Sequence, residues 1–307
     1  MRNFAKKSMD KKIWLITGPT ASGKTTLSLH LAEKLKCEII SADSRQIYNE
    51  LTIGTAKPSA FQLAQSKHHF INHISIHDSY NAHQYSLEAL SCIENLTTTY
   101  QDIVIVGGTG FYINALLSGL DPLPEATTEI REKLNLELHQ YGLEYLQAKL
   151  FAKDDSTYYK IDIKNPRRLL RVLEIIEMTG KPFTQQIQTN SNKRLPYLIN
   201  EIYLCPERNE LYQRINQRVD EMMDNGLLDE VRQVNNYRTL PSLQTVGYVE
   251  LFDYLDAKVT LDFAVDKIKQ HTRNYAKRQI TWFNKFSSGK KIESLDMAIE
   301  YFNNLVL

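Results

Sequence analysis

The stretch Ile13-Trp14-Leu15-Ile16-Thr17-Gly18-Pro19-Thr20-Ala21-Ser22-Gly23-Lys24-Thr25 decides the fold of this chain. An apolar run of strand character enters a glycine-bounded turn, and the turn opens a helix-like run from Thr26 to Leu35. That context gives the G-x-x-x-x-G-K-[ST] spacing its meaning. Glycines at 18 and 23 let the backbone curl into a nest of inward N–H groups at the positive end of a helix dipole. Gly18, Pro19, Thr20, Ala21, Ser22, Gly23, Lys24 and Thr25 are expected to hold a pair of linked phosphates. Lys24 adds a point charge, and the Thr25 hydroxyl is the expected protein ligand of a Mg2+ ion. The spacing does not say which molecule carries the phosphates.

Downstream, Glu38 to Asp43 reads as a short strand ending in a carboxylate. Ligands of open α/β sheets gather at the carboxyl ends of strands, so Asp43 is expected to face the nest. Capping of the following turn is its competing use. His69, His73 and His77 fall at helical spacing, which suits a metal, but Ile71, Ile74 and Ile76 read as a strand, where they would not converge. Ser86 to Tyr100 is an amphipathic helix, and Ile103 to Val106 a buried parallel strand. The strand runs into Gly107-Gly108-Thr109-Gly110 and a helix from Phe111 to Leu117. Thr109 there marks either close approach of a substrate or tight packing.

Residues 121–200 read as a helical insertion between halves of one core, 11–120 and 201–307. Asn165-Pro166 starts a helix and Gly180 stops it. Its Leu169, Leu173 and Ile176 face inward, and Arg167, Arg168 and Arg171 face the other way. Strand character resumes at Glu201–Cys205. The helix from Glu207 to Asp224 carries Arg214 and Arg218 four apart, a pairing that suits clamping of a leaving group. The last long helix, Asp262 to Phe283, interleaves Arg273, Lys277 and Arg278 with Tyr275 and Trp282, as backbone contact plus stacking on unpaired bases requires.

Composition supports a large α/β chain: 307 residues, 42% hydrophobic and 24% charged. No apolar run reaches membrane-spanning length, and the basic start Met1 to Lys12 lacks the apolar core of a secretory signal. Cys37, Cys92 and Cys205 are too few and too scattered for a disulfide framework or a zinc site. A cytoplasmic monomer is expected. The formal charge of +1 hides two basic segments. Residues 160–171 carry five basic side chains and residues 267–285 carry six, the local footprint a nucleic acid needs.

GPTASGKT (18–25), SADSRQIY (41–48), IGTAKP (53–58), GGTGFY (107–112), NPRRLLRVLE (165–174), QTVGY (244–248) and TRNYAKRQITWF (272–283) together resemble the tRNA dimethylallyltransferase family, also called tRNA isopentenyltransferases. The resemblance implies an α/β fold with a P-loop NTPase-like parallel sheet flanked by helices and an inserted all-helical domain that grips the anticodon stem-loop. It implies transfer of a five-carbon group from dimethylallyl diphosphate to N6 of the adenosine 3′ to the anticodon. By similarity Thr20 orders the reacting groups, Asp43 is the base, and Lys24 and Arg218 hold the departing diphosphate with Mg2+. The tRNA-facing residues it implies are Asp43, Ser44, Arg45, Gln46, Thr109, Arg167, Arg168, Leu169, Leu170, Arg171, Gln244, Thr245, Val246, Gly247, Tyr248, Val249, Arg273, Lys277, Arg278, Gln279 and Trp282. Asn284 stands where many members carry a basic residue, and a C-terminal Cys/His finger is missing, which fits the bacterial type. A P-loop phosphotransferase would leave the basic helices idle. Prenylation of free adenine nucleotides would need no insertion.

Overall fold

The computed structural model describes residues 11–120, 123–186 and 195–306. The basic start before Lys11 and the Asp121-Pro122 step lie outside them. The chain forms two compact units, one built from residues up to Leu117 and from Leu195 onward, the other from Ser118–Arg194.

In the first unit, β1 (Lys12–Thr17), β2 (Ile39–Ser41), β3 (His68–His69), β4 (Asp102–Gly107), β5 (Leu198–Leu204) and β6 (Lys290–Ile292) form one sheet of order β3-β2-β4-β1-β5-β6. Every pairing is parallel. The turns that follow β1, β2, β4 and β5 therefore leave the sheet at the same edge, which is where this architecture places its ligands. Strand β1 is central, flanked by β4 and β5 with Thr17 opposite both Gly107 and Tyr203. Leu198, Ile199 and Asn200 extend β5 ahead of the apolar run read from sequence because they pair with Lys12, Ile13 and Trp14.

One sheet face is covered by α1 (Lys24–Leu35) and the C-terminal helix, with Trp14, Ile16, Leu27, Leu31, Ile39, Val104, Leu204 and Phe302 in a common core. Trp14 is fully buried there, edge-on to Phe302, and its indole N–H donates to Asp102 Oδ1 at 2.9 Å. Burial of a ring with a polar tip requires such a partner. Between β2 and β3 lies α2 (Ala60–Gln65), with a reciprocal capping box between Ser59 and Gln62. The strand expected beyond His69 does not form, because Phe70 and Asn72 adopt φ values of 63° and 51°. Then come α3 (Ala82–Leu96), capped by Asn81, and α4 (Gly110–Ser118).

The second unit holds α5 (Thr128–Lys153), α6 (Asp155–Lys160) and α7 (Pro166–Thr179). Gly142, at φ 78°, breaks α5 into two helical segments. Helix α7 starts on the Asn165 side chain with Pro166 in its first turn, and ends at Gly180 in the left-handed region. Leu134, Leu146, Leu150, Leu169, Val172, Leu173 and Ile176 form the core of this unit.

The chain then returns to the first unit through β5 and α8 (Arg208–Asp224), α9 (Leu227–Val234), α10 (Tyr248–Leu255), α11 (Leu261–Phe286) and α12 (Leu295–Val306). Helices α8 and α11 meet over the tip of the phosphate loop, where Leu211, Ile215 and Ala276 bury Ala21.

Glycine is forced at the end of β4. A Cβ on Gly107 would stand 2.2 Å from the Ala42 carbonyl oxygen, one residue before Asp43. Gly107→Ala is expected to destabilise the protein by about 1–3 kcal/mol, as overpacking against backbone does, measured by chemical denaturation.

Candidate active site at the phosphate loop

The phosphate loop is bent where side chains are excluded. Gly18 has φ 147°, and a Cβ there would lie 2.1 Å from the Leu204 carbonyl oxygen. Gly23 has φ 98°, and Ala21 is held at φ 61°, a conformation costing about 1 kcal/mol that the packing of α8 and α11 over its methyl group maintains. Ser22 is buried and its Oγ has no hydrogen-bond partner among the described residues. A phosphate oxygen would satisfy it.

Lys24 Nζ donates to the Pro19 carbonyl at 2.5 Å, folded back over the loop. Burial lowers its pKa to about 7, the Asp43 carboxylate opposes that shift, and Arg218 adds to it. Three charged groups from α1, the β2 turn and α8 thus face one space. Arg218 Nη1 lies 3.5 Å from Thr20 Oγ1, and burial pulls its guanidinium below its ordinary value. Asp43 caps the turn that follows β2. Its Oδ1 accepts from the Arg45 and Gln46 backbone N–H groups at 2.8 and 3.2 Å, while Oδ2 has no partner among the described residues. The Thr109 hydroxyl accepts from Ser44 N at 3.0 Å, tying the β4 turn to the β2 turn. Tyr275 on α11 joins this group. Burial first, and the nearby Asp43 charge second, push its hydroxyl up to about 12.

Several expected contacts are otherwise engaged. Leu169 is fully buried in the insertion core, and Leu170 is half-buried beside it. Arg171 is tied to the Pro124 carbonyl at 3.0 Å and to Glu174 at 3.4 Å, whereas Arg167 and Arg168 are exposed. Arg214, the other half of the expected clamp, pairs with Glu210 at 2.5 Å on the outer surface of α8. The Arg45 guanidinium reaches the Ser242 carbonyl at 3.0 Å, Gln46 Nε2 the Ala56 carbonyl at 3.0 Å, and Gln244 Nε2 the Arg238 carbonyl at 2.7 Å. Thr245 and Val246 are half-buried and Val249 is exposed. Arg273 donates to Asn216 at 2.5 Å, and Lys277 and Arg278 are exposed. Trp282 packs on Gly110, Phe283 and Phe286 and is half-buried. Gln279 is buried and bonded to the phosphate loop. Asn284 accepts from the Tyr203 hydroxyl at 3.2 Å.

The largest feature missed from sequence is Glu230 on α9. Its carboxylate accepts from the backbone N–H groups of Thr52, Ile53 and Gly54 at 2.7–2.9 Å and from the Tyr248 hydroxyl at 2.6 Å. Tyr248 is fully buried, and the QTVGY segment meets the IGTAKP loop through Glu230. A Cβ on Gly54 would sit 2.6 Å from that ring. The histidines are divided: His69 bonds to Glu38 at 2.6 Å, His73 to Glu88 at 3.0 Å, and His77 stands edge-on to Tyr237.

Among the described residues no three His, Cys, Asp or Glu side chains converge as a metal cage. An ion at this loop would take oxygens from the Thr25 hydroxyl, a bound diphosphate and water, the donor set Mg2+ accepts.

Fold and site define a P-loop α/β protein whose anion cradle is closed by two helices from the C-terminal part of the chain. Comparison with known proteins places it further. A profile of the IPP transferase family matches residues 46–286. The chain is 46% identical over 271 residues to tRNA dimethylallyltransferase 1 of Bacteroides thetaiotaomicron, covering 88% of each chain. It is similar in structure to a tRNA isopentenylpyrophosphate transferase of Bacillus halodurans, with TM-score 0.70, 35% identity and 96% and 95% of the two chains covered. A eukaryotic dimethylallyltransferase acting on tRNA superposes with TM-score 0.78 at 26% identity, over 94% of this chain and 75% of the other. This chain belongs to the IPP transferase family.

The lowered pKa of Lys24 has a measurable sign. Above about pH 7 the free lysine is neutral, and a bound diphosphate restores its charge, so binding takes up a proton. Calorimetry of pyrophosphate binding at pH 8–9 in two buffers of different ionisation enthalpy is expected to show roughly one proton taken up beyond the ligand's own ionisation. Below pH 7 the extra uptake disappears. Lys24→Arg, charged throughout, should remove it.

Proposed function

We propose that this protein transfers the dimethylallyl group of dimethylallyl diphosphate to N6 of the tRNA adenosine 3′-adjacent to the anticodon, releasing diphosphate. The observation that carries the reading is the position of Asp43: it follows β2 at the edge where the nest follows β1, and the β4 turn between them is bonded to its neighbours Ala42 and Ser44.

In this reading the diphosphate lies in the nest of Gly18–Thr25. The bond between the allylic carbon and the bridging oxygen breaks with its electron pair going to that oxygen. Loop N–H groups, Lys24 and Arg218 are aimed at the charge that develops there, an arrangement that costs no reorganisation during the step. Bound with the diphosphate, Mg2+ would neutralise further charge, with Thr25 as its protein oxygen.

Adenine N6 is a weak nucleophile because its lone pair is delocalised into the ring. As the new N–C bond forms, the N6 proton passes to Asp43. Oδ1 is committed to the turn it caps, which leaves Oδ2 for the proton. Thr20, held near Arg218, orders the reacting groups. The base must leave its stack to reach this space, at a cost of a few kcal/mol, and backbone contacts of exposed cations on α7 and α11 offset it. Strand β4 runs into Gly107-Gly108 and supplies no Asp at its end to bind Mg2+ together with the loop threonine, as a P-loop phosphotransferase normally would, which supports a transferase.

Asp43→Asn keeps an oxygen for the Arg45 and Gln46 N–H groups and removes the base. It is expected to lower the single-turnover rate of C5 transfer to unmodified tRNA by about 10²–10⁴ while tRNA affinity changes little. Replacement of both Arg167 and Arg168 by Ala should flatten the salt dependence of tRNA binding by roughly 1–2 units of log–log slope. Pyrophosphate affinity, measured in parallel, should not move.

A further inference from the structure

Helix α11 presents two chemically different faces. Lys277 and Arg278 are exposed, while Ala276 and Gln279, with Ile280 beside them, turn onto the phosphate loop. Gln279 retains 6% of its exposure, and both ends of its carboxamide are used. Oε1 accepts from the Thr20 backbone N–H at 2.9 Å, and Nε2 donates to the Gly108 carbonyl at 2.9 Å. A primary amide accepts at one tip and donates at the other without carrying charge. Gly108 is shaped for it, since a Cβ there would lie 2.5 Å from Nε2. The residue gripped is Thr20, whose hydroxyl lies 3.5 Å from Arg218.

We infer that Gln279 is a positioning residue for the transfer step: its carboxamide bolts α11 to the phosphate loop and the β4 turn, sets the Thr20 hydroxyl against Arg218, and withdraws the Thr20 N–H from the anion nest. The chemical part of this inference rests on the function proposed above. A consequence is that diphosphate affinity and reaction rate separate. Without the amide, the Thr20 N–H is free to join the nest, so anion binding persists, but the geometry at Thr20 and Arg218 is lost.

The test uses Gln279→Met, which keeps length and flexibility without the hydrogen bonds, with Gln279→Glu and Gly108→Ala beside it. For Gln279→Met the single-turnover transfer rate should fall by roughly 10–100-fold, the scale of a small misplacement of reacting groups. Its affinity for inorganic pyrophosphate should stay within about twofold, because no donor to the nest is removed. Hydrogen exchange of the loop peptide should show the Thr20 amide protected in the parent and unprotected in the variant. Gly108→Ala, which drives a methyl group into the carboxamide, should reproduce all three results and serves if the Met variant does not fold. Gln279→Glu puts a carboxylate beside the Gly108 carbonyl and the nest, so it should lose both rate and pyrophosphate affinity. The inference is overturned if the folded Met variant transfers at the parent rate. It is equally overturned if rate and pyrophosphate affinity fall together, as simple loss of packing would cause. If the parent itself transfers no C5 group to tRNA, the proposed function fails, and exchange at Thr20 with pyrophosphate binding still judges Gln279.

Discussion

The structure depends on a backbone that must turn its N–H groups inward within a few residues. Such a nest leaves no room for side chains where it bends, hence Gly18 against the Leu204 carbonyl, and it exposes a strained tip at Ala21. The tip is kept in place by helices that arrive far later in sequence: Leu211 and Ile215 from α8, Ala276 from α11. The same two helices deliver Arg218 and Gln279. One packing contact therefore stabilises the loop and equips it.

A parallel sheet makes this economical. All strands leave their carboxyl ends at one edge, so the phosphate loop after β1, Asp43 after β2 and the glycine turn after β4 are neighbours without long excursions of the chain. The glycine turn lies between the other two because β4 lies between β2 and β1. Gly107 admits the Ala42 carbonyl, Gly108 admits Gln279, and Gly110 admits the Trp282 ring. Thr109, between them, bonds to Ser44. The glycines there serve close approach of other parts of the protein, and the one side chain that interrupts them faces the site.

Buried and half-buried carboxylates do the remaining organising. Glu230 is taken out of water but receives four hydrogen bonds, three from consecutive backbone N–H groups and one from Tyr248, which offsets the cost of desolvating a charge. It anchors the loop whose carbonyls at Thr55 and Ala56 hold Gln46, the residue beside the Asp43 turn. Glu201 acts similarly at the other side of β1, accepting from Thr17, Ser287 and Ser288. In the insertion, Glu177 gathers Lys133, Lys149 and Lys153, so much of that unit's basic charge is internally matched. Arg167 and Arg168 stay exposed.

Local chemistry was legible from the chain. The strand, glycine turn and helix around Lys24 are written in neighbouring residues, as are the Asn165-Pro166 start and Gly180 stop of α7, because conformational preference and capping act over a few positions. Asp43 followed from a general rule about strand ends. Long-range hydrogen bonds and burial were not legible, because any amphipathic helix offers several polar residues and its sequence does not name their partners. Gln279 sits in a basic, aromatic segment that reads as an RNA face, yet its side chain is buried on the phosphate loop, and Trp282 beside it is half-buried against Gly110. Tyr248, Leu169 and Arg171 likewise make contacts within the protein that the sequence does not name, while Tyr275 lies beside Asp43. The sequence by itself determined where the phosphate nest forms and which family's segments surround it, since both rest on contiguous residues. Only the tertiary structure decided which arginine reaches the nest, which carboxylate holds the loops and which amide grips Thr20, because those choices depend on how α8, α9 and α11 cross the sheet edge.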